Sequence, residues 1–329
     1  MPQDRFGRTI DYLRMSLIDH CNLRCVYCMP LRGLSFVPSN ELLTAEELAR
    51  VAQAAANLGF RKIRFTGGEP TLRSDLVEIV RRVRHVAENC DLGMTTNGVL
   101  LPGLAADLRA AGLRRVNIHL DSLDSDRLKR VMRFGSRDEI WAGIEAAELA
   151  GFAPIKINAV VVRDFNHEDV VELARLTIDR DWHVRFIELM PLGTDDCARL
   201  SLSQYVPNPE TKARIERELG TLEALPPRDL SDESRNFKLP HGRGIVGFIS
   251  PVSDPYCGHC NRMRLTADGK LHLCLLHDDE IDLRPALRNG HGEEGIERIL
   301  RQAITVKPTG HQLDQGISTR NRNMFQLGG

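Results

Sequence analysis

Residues 62–88 read KIRFTGGEPTLRSDLVEIVRRVRHVAE and contain one complete structural unit. Lys62–Thr66 alternates polar and apolar side chains, which predicts a strand. Gly67-Gly68 closes it, and Ser74–Glu88 predicts a helix. The same unit recurs on both sides. Upstream, Tyr12–Leu17 predicts a strand and Thr44–Asn57 a helix, which starts at a Thr44/Glu47 capping box and stops at Gly59. Downstream, strands are expected at Leu92–Thr96, Val116–Leu120, Ile155–Val162 and Val184–Leu189. Helices are expected at Leu104–Ala110, Arg137–Ala150 and His167–Ile178. Six strand-then-helix units, each short enough for a parallel crossover, predict an α/β fold with a parallel sheet, either doubly wound or barrel-like. Chemistry in such folds collects at the C-terminal ends of the strands. Cys21–Cys28, Thr66–Pro70, Thr95–Gly98, Asp121-Ser122 and Met190-Pro191 all follow predicted strands.

Past residue 190 the pattern changes. Turn signals gather at Pro191, Pro207, Pro209, Pro226, Pro227 and Pro240, with a helix expected near Thr211–Leu219 and a strand at Ile245–Ser250. Arg262–Thr266 and Lys270–Cys274 flank Ala267-Asp268-Gly269, a hairpin signal. The tail from Thr319 has no strong periodicity. A boundary near residue 230 divides the chain into 1–230 and 231–329.

The 329 residues carry 44 Lys and Arg against 45 Asp and Glu, a net charge of −1, which gives no field for nucleic acid. An anionic ligand must therefore be held by a local basic cluster. No apolar run of about 18 residues exists to span a membrane. The start, MPQDRFGRTIDYLRMS, lacks the apolar stretch of a secretory signal, so a cytoplasmic location is expected. In that reducing compartment eight cysteines do not predict four disulfides. Six of them form two tight groups of three, which suggests metal, while Cys90 and Cys197 read as ordinary small residues.

Cys21-x3-Cys25-x2-Cys28 supplies three thiolates on one loop. Iron–sulfur cubanes take four, so three leave one iron open to a ligand. The amino and carboxylate groups of S-adenosylmethionine could chelate it, and that molecule is a carrier of radical chemistry. Structural zinc with His20 as fourth ligand is the alternative. Cys257-x2-Cys260-x13-Cys274 is again three cysteines, the last brought back by the hairpin. It reads as a zinc ribbon completed by His259 or His272, or as a second cluster. Arg262 and Arg264 share one face of the adjoining strand, which suits an anion carried to that metal.

The first motif, with Tyr27 before its last cysteine and Gly67-Gly68-Glu69-Pro70 after the second strand, resembles the radical S-adenosylmethionine superfamily. Nearly the whole chain resembles one family within it, the GTP 3′,8-cyclases that open molybdenum-cofactor biosynthesis. The resemblance runs through Asp11–Ser16, Asp19–Pro30, Lys62–Pro70, Thr95–Gly98, Lys156–Val160, Arg185–Pro191, the second cysteine segment and Gly328-Gly329.

This resemblance implies an incomplete (βα)6 barrel of the triosephosphate-isomerase type with a C-terminal iron–sulfur domain. It implies two [4Fe–4S] clusters, one on Cys21, Cys25 and Cys28, the other on Cys257, Cys260 and Cys274. S-adenosylmethionine contacts are implied at Tyr27, Gly68, His119 and Met190. GTP contacts are implied at Arg14, Arg64, Thr95, Lys156, Arg262, Met263 and Arg264. Arg14, Lys62, Arg185 and the terminal Gly328 and Gly329 match catalytic positions. His119 stands where many members have Ser, and Leu327 where tails often have Ile. The implied reaction removes the ribose 3′ hydrogen of GTP with a 5′-deoxyadenosyl radical. The C3′ radical then joins C8, giving (8S)-3′,8-cyclo-7,8-dihydroguanosine 5′-triphosphate. An electron donor, a downstream cyclic pyranopterin monophosphate synthase and a homodimer are implied with it. The rival readings are a peptide-modifying radical enzyme with auxiliary clusters and a non-catalytic zinc or iron scaffold.

Overall fold

The computed structural model describes residues 1–192, 196–227, 229–289, 292–313, 319 and 321–328. Its strands are β1 Tyr12–Ser16, β2 Lys62–Thr66, β3 Asp91–Thr96, β4 Arg115–His119, β5 Lys156–Val161, β6 His183–Glu188, β7 Glu223–Ala224, β8 Ser234–Lys238, β9 Ile245–Ile249, β10 Arg262–Leu265, β11 Lys270–His272 and β12 Glu280–Asp282. They form one sheet in the order β12-β11-β10-β1-β2-β3-β4-β5-β6-β9-β8-β7. β1 to β6 run parallel, in chain order, with helices between them. The result is an α/β fold whose sheet has the form of a partial barrel.

Each strand divides its side chains between two environments, as the period of two requires. Leu13, Met15, Ile63, Phe65, Leu92, Met94, Val116, Ile118, Ile157, Val184 and Phe186 are buried in the hydrophobic core. The alternate positions carry Arg14, Arg64, Thr95, Asn117, Asn158 and Arg185. The helices complete the apolar side. Ala45–Asn57 starts at Thr44, whose hydroxyl accepts from the Glu47 amide at 3.1 Å, while Glu47 accepts from the Thr44 amide at 2.8 Å. It buries Leu48, Val51, Ala52 and Ala55. A side chain such as Leu48 or Val51 contributes about 1.5–3 kcal/mol by leaving water.

The C-terminal strands extend this same sheet at both edges. β9 runs parallel to β6, and β10 runs parallel to β1 with Tyr12 opposite Arg262 and Arg14 opposite Arg264. The expected hairpin is present, with β10 and β11 antiparallel and the Thr266 amide bonded to the Lys270 carbonyl at 2.9 Å. Six α-helices among the described residues were not foreseen, among them Arg163–Asn166, Asp196–Ser203 and Arg284–Arg288. Ser125–Met132 is capped by Asp124, Gly292–Val306 buries Ile296, Leu300, Ala303 and Ile304, and Met324–Leu327 gives the tail a short helix. Among the described residues no helix is long and apolar enough to cross a membrane.

Candidate active site

The first cysteine loop leaves β1 and is held from two sides. The Gly68 amide donates to the Ile18 carbonyl at 2.6 Å and the Glu69 amide to the His20 carbonyl at 2.7 Å. A Cβ at Gly68 would lie 2.2 Å from the His20 oxygen, so only glycine lets the two backbones meet. Close approach to the cysteine loop is thus one physical demand that the glycine pair meets. On the other side, the Arg24 and Val26 amides donate to the Met132 and Val131 carbonyls at 3.0 and 2.9 Å. Glu69 is buried and ties the turn to β3. It accepts from the Thr71 hydroxyl at 2.6 Å, the Thr96 hydroxyl at 2.7 Å and the Asn97 amide at 2.7 Å. Burial still raises its carboxyl above the usual range, against those hydrogen bonds.

Cys21, Cys25 and Cys28 line a cavity of about 1300 Å³ including its open mouth. Burial pushes the free Cys21 thiol up to about 12 and Cys28 well above the ordinary thiol value. His20, the alternative zinc ligand, bonds Asp19 at 3.0 Å and stacks on Phe36 at 4.0 Å. Among the described residues no group of three or more His, Cys, Asp or Glu is arranged to hold one metal ion. Three thiols facing a large cavity fit a cubane, in which each thiolate takes a different iron and one iron stays open.

Tyr27, His119 and Met190 share the wall of this cavity with Gly68. The Tyr27 hydroxyl lies 2.6 Å from His119 Nε2 and donates to Asp121 Oδ2 at 2.7 Å, and His119 Nε2 is 2.8 Å from the same oxygen. Burial works against a charged His119, but the Asp121 carboxylate lifts its pKa to about 10. Asp121 is itself anchored, since its Oδ1 accepts from the Val160 amide at 2.8 Å.

Cys257, Cys260 and Cys274 line a second cavity of about 540 Å³, mouth included. Met190, Tyr256, Arg264 and Leu275 belong to both walls, so the two cysteine groups face each other across these four residues. Lys307 is buried beneath the second group and donates to the Leu273 carbonyl at 2.6 Å. Burial opposes ionisation of Cys260, but Lys307 and Arg262 hold its thiol below the ordinary value.

The cations do not sit only at the C-terminal strand ends. Lys62, Lys156 and Arg262 are the first residues of β2, β5 and β10, and Arg14 and Arg64 lie at mid-strand. The basic set therefore runs down the sheet interior, away from the first cysteine loop. Arg262 lies over the rings of Tyr12 and Tyr256 at 5.5 and 5.1 Å, and Arg64 over Tyr12 at 5.8 Å. Gly93 leaves room for Arg64, whose guanidinium would be 3.4 Å from a Cβ there. Burial, then Arg185 and Arg64, pull Lys156 down to about 7. Burial and Arg14 lower Arg264 to about 9. Arg64 Nη1, Arg185 Nη2, Arg262 Nε and Thr95 Oγ1 are buried with no hydrogen-bond partner among the described residues.

Met263 faces the other way. Its side chain is fully buried in the hydrophobic core, on the opposite face of β10 from Arg262 and Arg264. Period-two alternation forces this, so a ligand could meet only its main chain. Gly328 lies against Thr66 and Gly67, and its carbonyl accepts from Arg264 Nη1 at 2.6 Å. Gly329 lies outside the described residues. Residues that the sequence reading did not single out also enter. Asn117, Asn158, Glu233 and Tyr256 line the larger cavity. The two asparagines could have been found by extending the inward period of β4 and β5. Glu233 follows a proline-rich stretch with no period and gave no signal.

Residues 15–177 match the Radical SAM superfamily and residues 182–313 match Molybdenum Cofactor Synthesis C. The chain is 44% identical over 327 residues to the GTP 3′,8-cyclase of Moorella thermoacetica, covering 99% of this chain and 100% of the relative. It is 46% identical over 327 residues to that of Heliobacterium modesticaldum, covering 99% of both. The crystal structure of Streptococcus suis SuiB bound to S-adenosylmethionine superposes with a TM-score of 0.58 over 88% of this chain and 68% of that one. At 14% identity it shows the fold alone. Two family domains and full-length relatives at this identity agree with the site's two cysteine groups: the chain belongs to the GTP 3′,8-cyclase family of the radical SAM superfamily.

Proposed function

We propose that the protein is a GTP 3′,8-cyclase built on an incomplete (βα)6 barrel with a C-terminal iron–sulfur unit in residues 231–329. One observation carries the reading: two three-cysteine groups face each other across Met190, Tyr256, Arg264 and Leu275, with an arginine-rich interior behind them. Cys21, Cys25 and Cys28 would hold one [4Fe–4S] cluster and Cys257, Cys260 and Cys274 the other. When bound, the clusters and S-adenosylmethionine supply the electron and the 5′-deoxyadenosyl radical that removes the ribose 3′ hydrogen of GTP. The chain's own residues supply position. Tyr27, Gly68, His119 and Met190 border the S-adenosylmethionine side, where Asp121 fixes the Tyr27 and His119 side chains. Arg14, Lys62, Arg64, Lys156, Arg185, Arg262 and Arg264 would take the triphosphate, for which planar guanidinium groups are suited. Arg64 Nη1, Arg185 Nη2 and Arg262 Nε, buried with no partner among the described residues, are donors suited to its oxygens, and burying such donors unpaired costs about 1–3 kcal/mol each. Thr95 would meet the nucleoside. With ribose C3′ and guanine C8 held within reach, ring closure becomes an intramolecular step. Gly328, held by Arg264, would with Gly329 close the site and limit radical loss to water. An electron donor, a cyclic pyranopterin monophosphate synthase acting on the product, and a homodimeric state complete the proposal.

The test is an anaerobic reaction with GTP, S-adenosylmethionine and dithionite, followed by mass detection of the cyclised nucleotide. Reconstitution should give about eight iron atoms per chain, two cubanes' worth. Zinc binding with no reductant-dependent cleavage of S-adenosylmethionine would sink the proposal. An unchanged rate in Arg262→Ala and Arg264→Ala would overturn the substrate site.

A further inference from the structure

Between β7 and β8, residues 229–233 read Asp-Leu-Ser-Asp-Glu, and this acidic segment lies on the cations just described. Asp229 pairs with Lys62 at 2.9 Å, and the Ser231 carbonyl accepts from Arg262 Nη2 at 2.9 Å. Glu233 pairs with Arg262 at 2.8 Å and Arg185 at 3.9 Å. Asp232 adds its field to Lys156 and Arg185. Glu233, like Arg14 and Arg264, lines the larger cavity, whereas Arg64, Lys156, Arg185 and Lys62 do not. Burial disfavours a charged Glu233, yet Arg262, Arg14, Arg185 and Arg64 together hold its carboxyl far below the usual range. It is an anion in a pocket built for anions.

We propose that residues 229–233 are an intramolecular stand-in for the triphosphate, a latch that pairs Glu233 with Arg262 and Arg185 and Asp229 with Lys62 and must withdraw when nucleotide enters. This rests on the reading of the basic residues as the triphosphate site. Two physical arguments support displacement over co-occupancy. A triphosphate beside Glu233 would meet a like charge at close range, in a place where water screens little. The Arg262 donors that Glu233 and Ser231 now use are also the ones a phosphate needs. The latch compensates a buried cation cluster that would otherwise repel itself while the site waits. Its cost is a competition term, because apparent affinity falls by the fraction of molecules with the latch open. Glu233 is therefore a residue that sets nucleotide affinity.

The experiment measures binding of GTP, and separately of inorganic tripolyphosphate, to the reconstituted holoenzyme and its Glu233→Gln and Asp229→Asn/Asp232→Asn variants. Both variants should bind both ligands more tightly, by about tenfold if the latch is closed nine-tenths of the time. Ligand-free Tm should fall in Glu233→Gln, and saturating tripolyphosphate should bring wild type and variant together. An acid-specific protease should cut within 229–233 of the wild-type protein faster when tripolyphosphate is present. Unchanged or weaker binding by both variants, or protection of the segment by tripolyphosphate, overturns the latch. The function and the latch fail separately. Tighter tripolyphosphate binding without GTP turnover supports the latch and sinks the cyclase reading. Normal turnover with unaltered affinity does the reverse.

Discussion

In the proposed triphosphate site, Lys156 should make nucleotide binding sensitive to pH in a range where an ordinary lysine would be silent. Among the protein groups alone its pKa is brought from 10.5 to about 7 by burial and by Arg185, Arg64 and Arg115. A bound triphosphate replaces those repulsions with attraction and restores the proton, so binding draws a proton from solution. From pH 7.5 to pH 9 the protonated fraction of Lys156 among those groups falls from about one in four to about one in a hundred. GTP affinity should fall about twentyfold over that interval, or about 1.9 kcal/mol. The control is Lys156→Arg, whose guanidinium stays charged throughout. GTP's own ionisation acts equally on both proteins, so the ratio of their dissociation constants isolates the lysine. Equilibrium titrations in three-buffer mixtures at constant ionic strength give that ratio, and calorimetry in buffers of different ionisation heat counts the proton directly. Parallel pH curves for the two proteins, or no proton uptake at pH 8, would refute the reasoning. The sign for stability is separate. The unfolded chain keeps a proton that the folded one sheds, so Lys156 makes the ligand-free protein more stable as pH rises from about 7 towards 10.5.

Three further outcomes follow from contacts at the cavity walls. Gly68→Ala places a methyl 2.2 Å from the His20 carbonyl and 2.6 Å from that of Asp19, both backbone atoms. Iron at the first cysteine group should be lost on reconstitution while the second group still loads, and full iron content would contradict this. Phe325→Ala empties a buried anchor of the tail, which costs about 3–5 kcal/mol where the site cannot collapse. Hydrogen exchange should rise at 324–328 with the global Tm nearly unchanged, whereas an equally large fall in Tm would show that the tail is part of the core. Lys307→Met removes the cation beside Cys260 and Cys274. The reduction potential of the cluster proposed on the second cysteine group should move negative while that of the first stays fixed, and an unshifted second potential would exclude the electrostatic role.

How much of this was legible in the sequence depends on what fixed each residue. The six parallel strands were legible because one physical constraint wrote them. Each strand has an apolar face under helices, and glycines, caps and turns punctuate the ends. The short helix Met324–Leu327 was not legible. Four residues carry no usable period, and it is held by tertiary contacts such as Phe325 against Phe36 at 6.0 Å. The side-chain position of Met263 was legible in principle, because the alternation that puts Arg262 and Arg264 inward puts Met263 outward. A motif read as a block of three consecutive contacts hides that distinction.

Charge shows the limit most clearly. The basic residues could be read as a set because they recur at period two on strands that the fold aligns. Their counter-ion could not, because nothing periodic brings Glu233 to Arg262. That placement depends on where an irregular segment after Pro226 and Pro227 comes back to the sheet, at β8. A net charge of −1 is therefore misleading in one respect. Overall balance hides local imbalance at the arginines, and local balance is then restored by a loop some thirty residues before β10. The energetic consequence is that these residues are not a bare cluster of cations but an ion-paired one. Binding there exchanges one set of anions for another, and it gains only the difference between them.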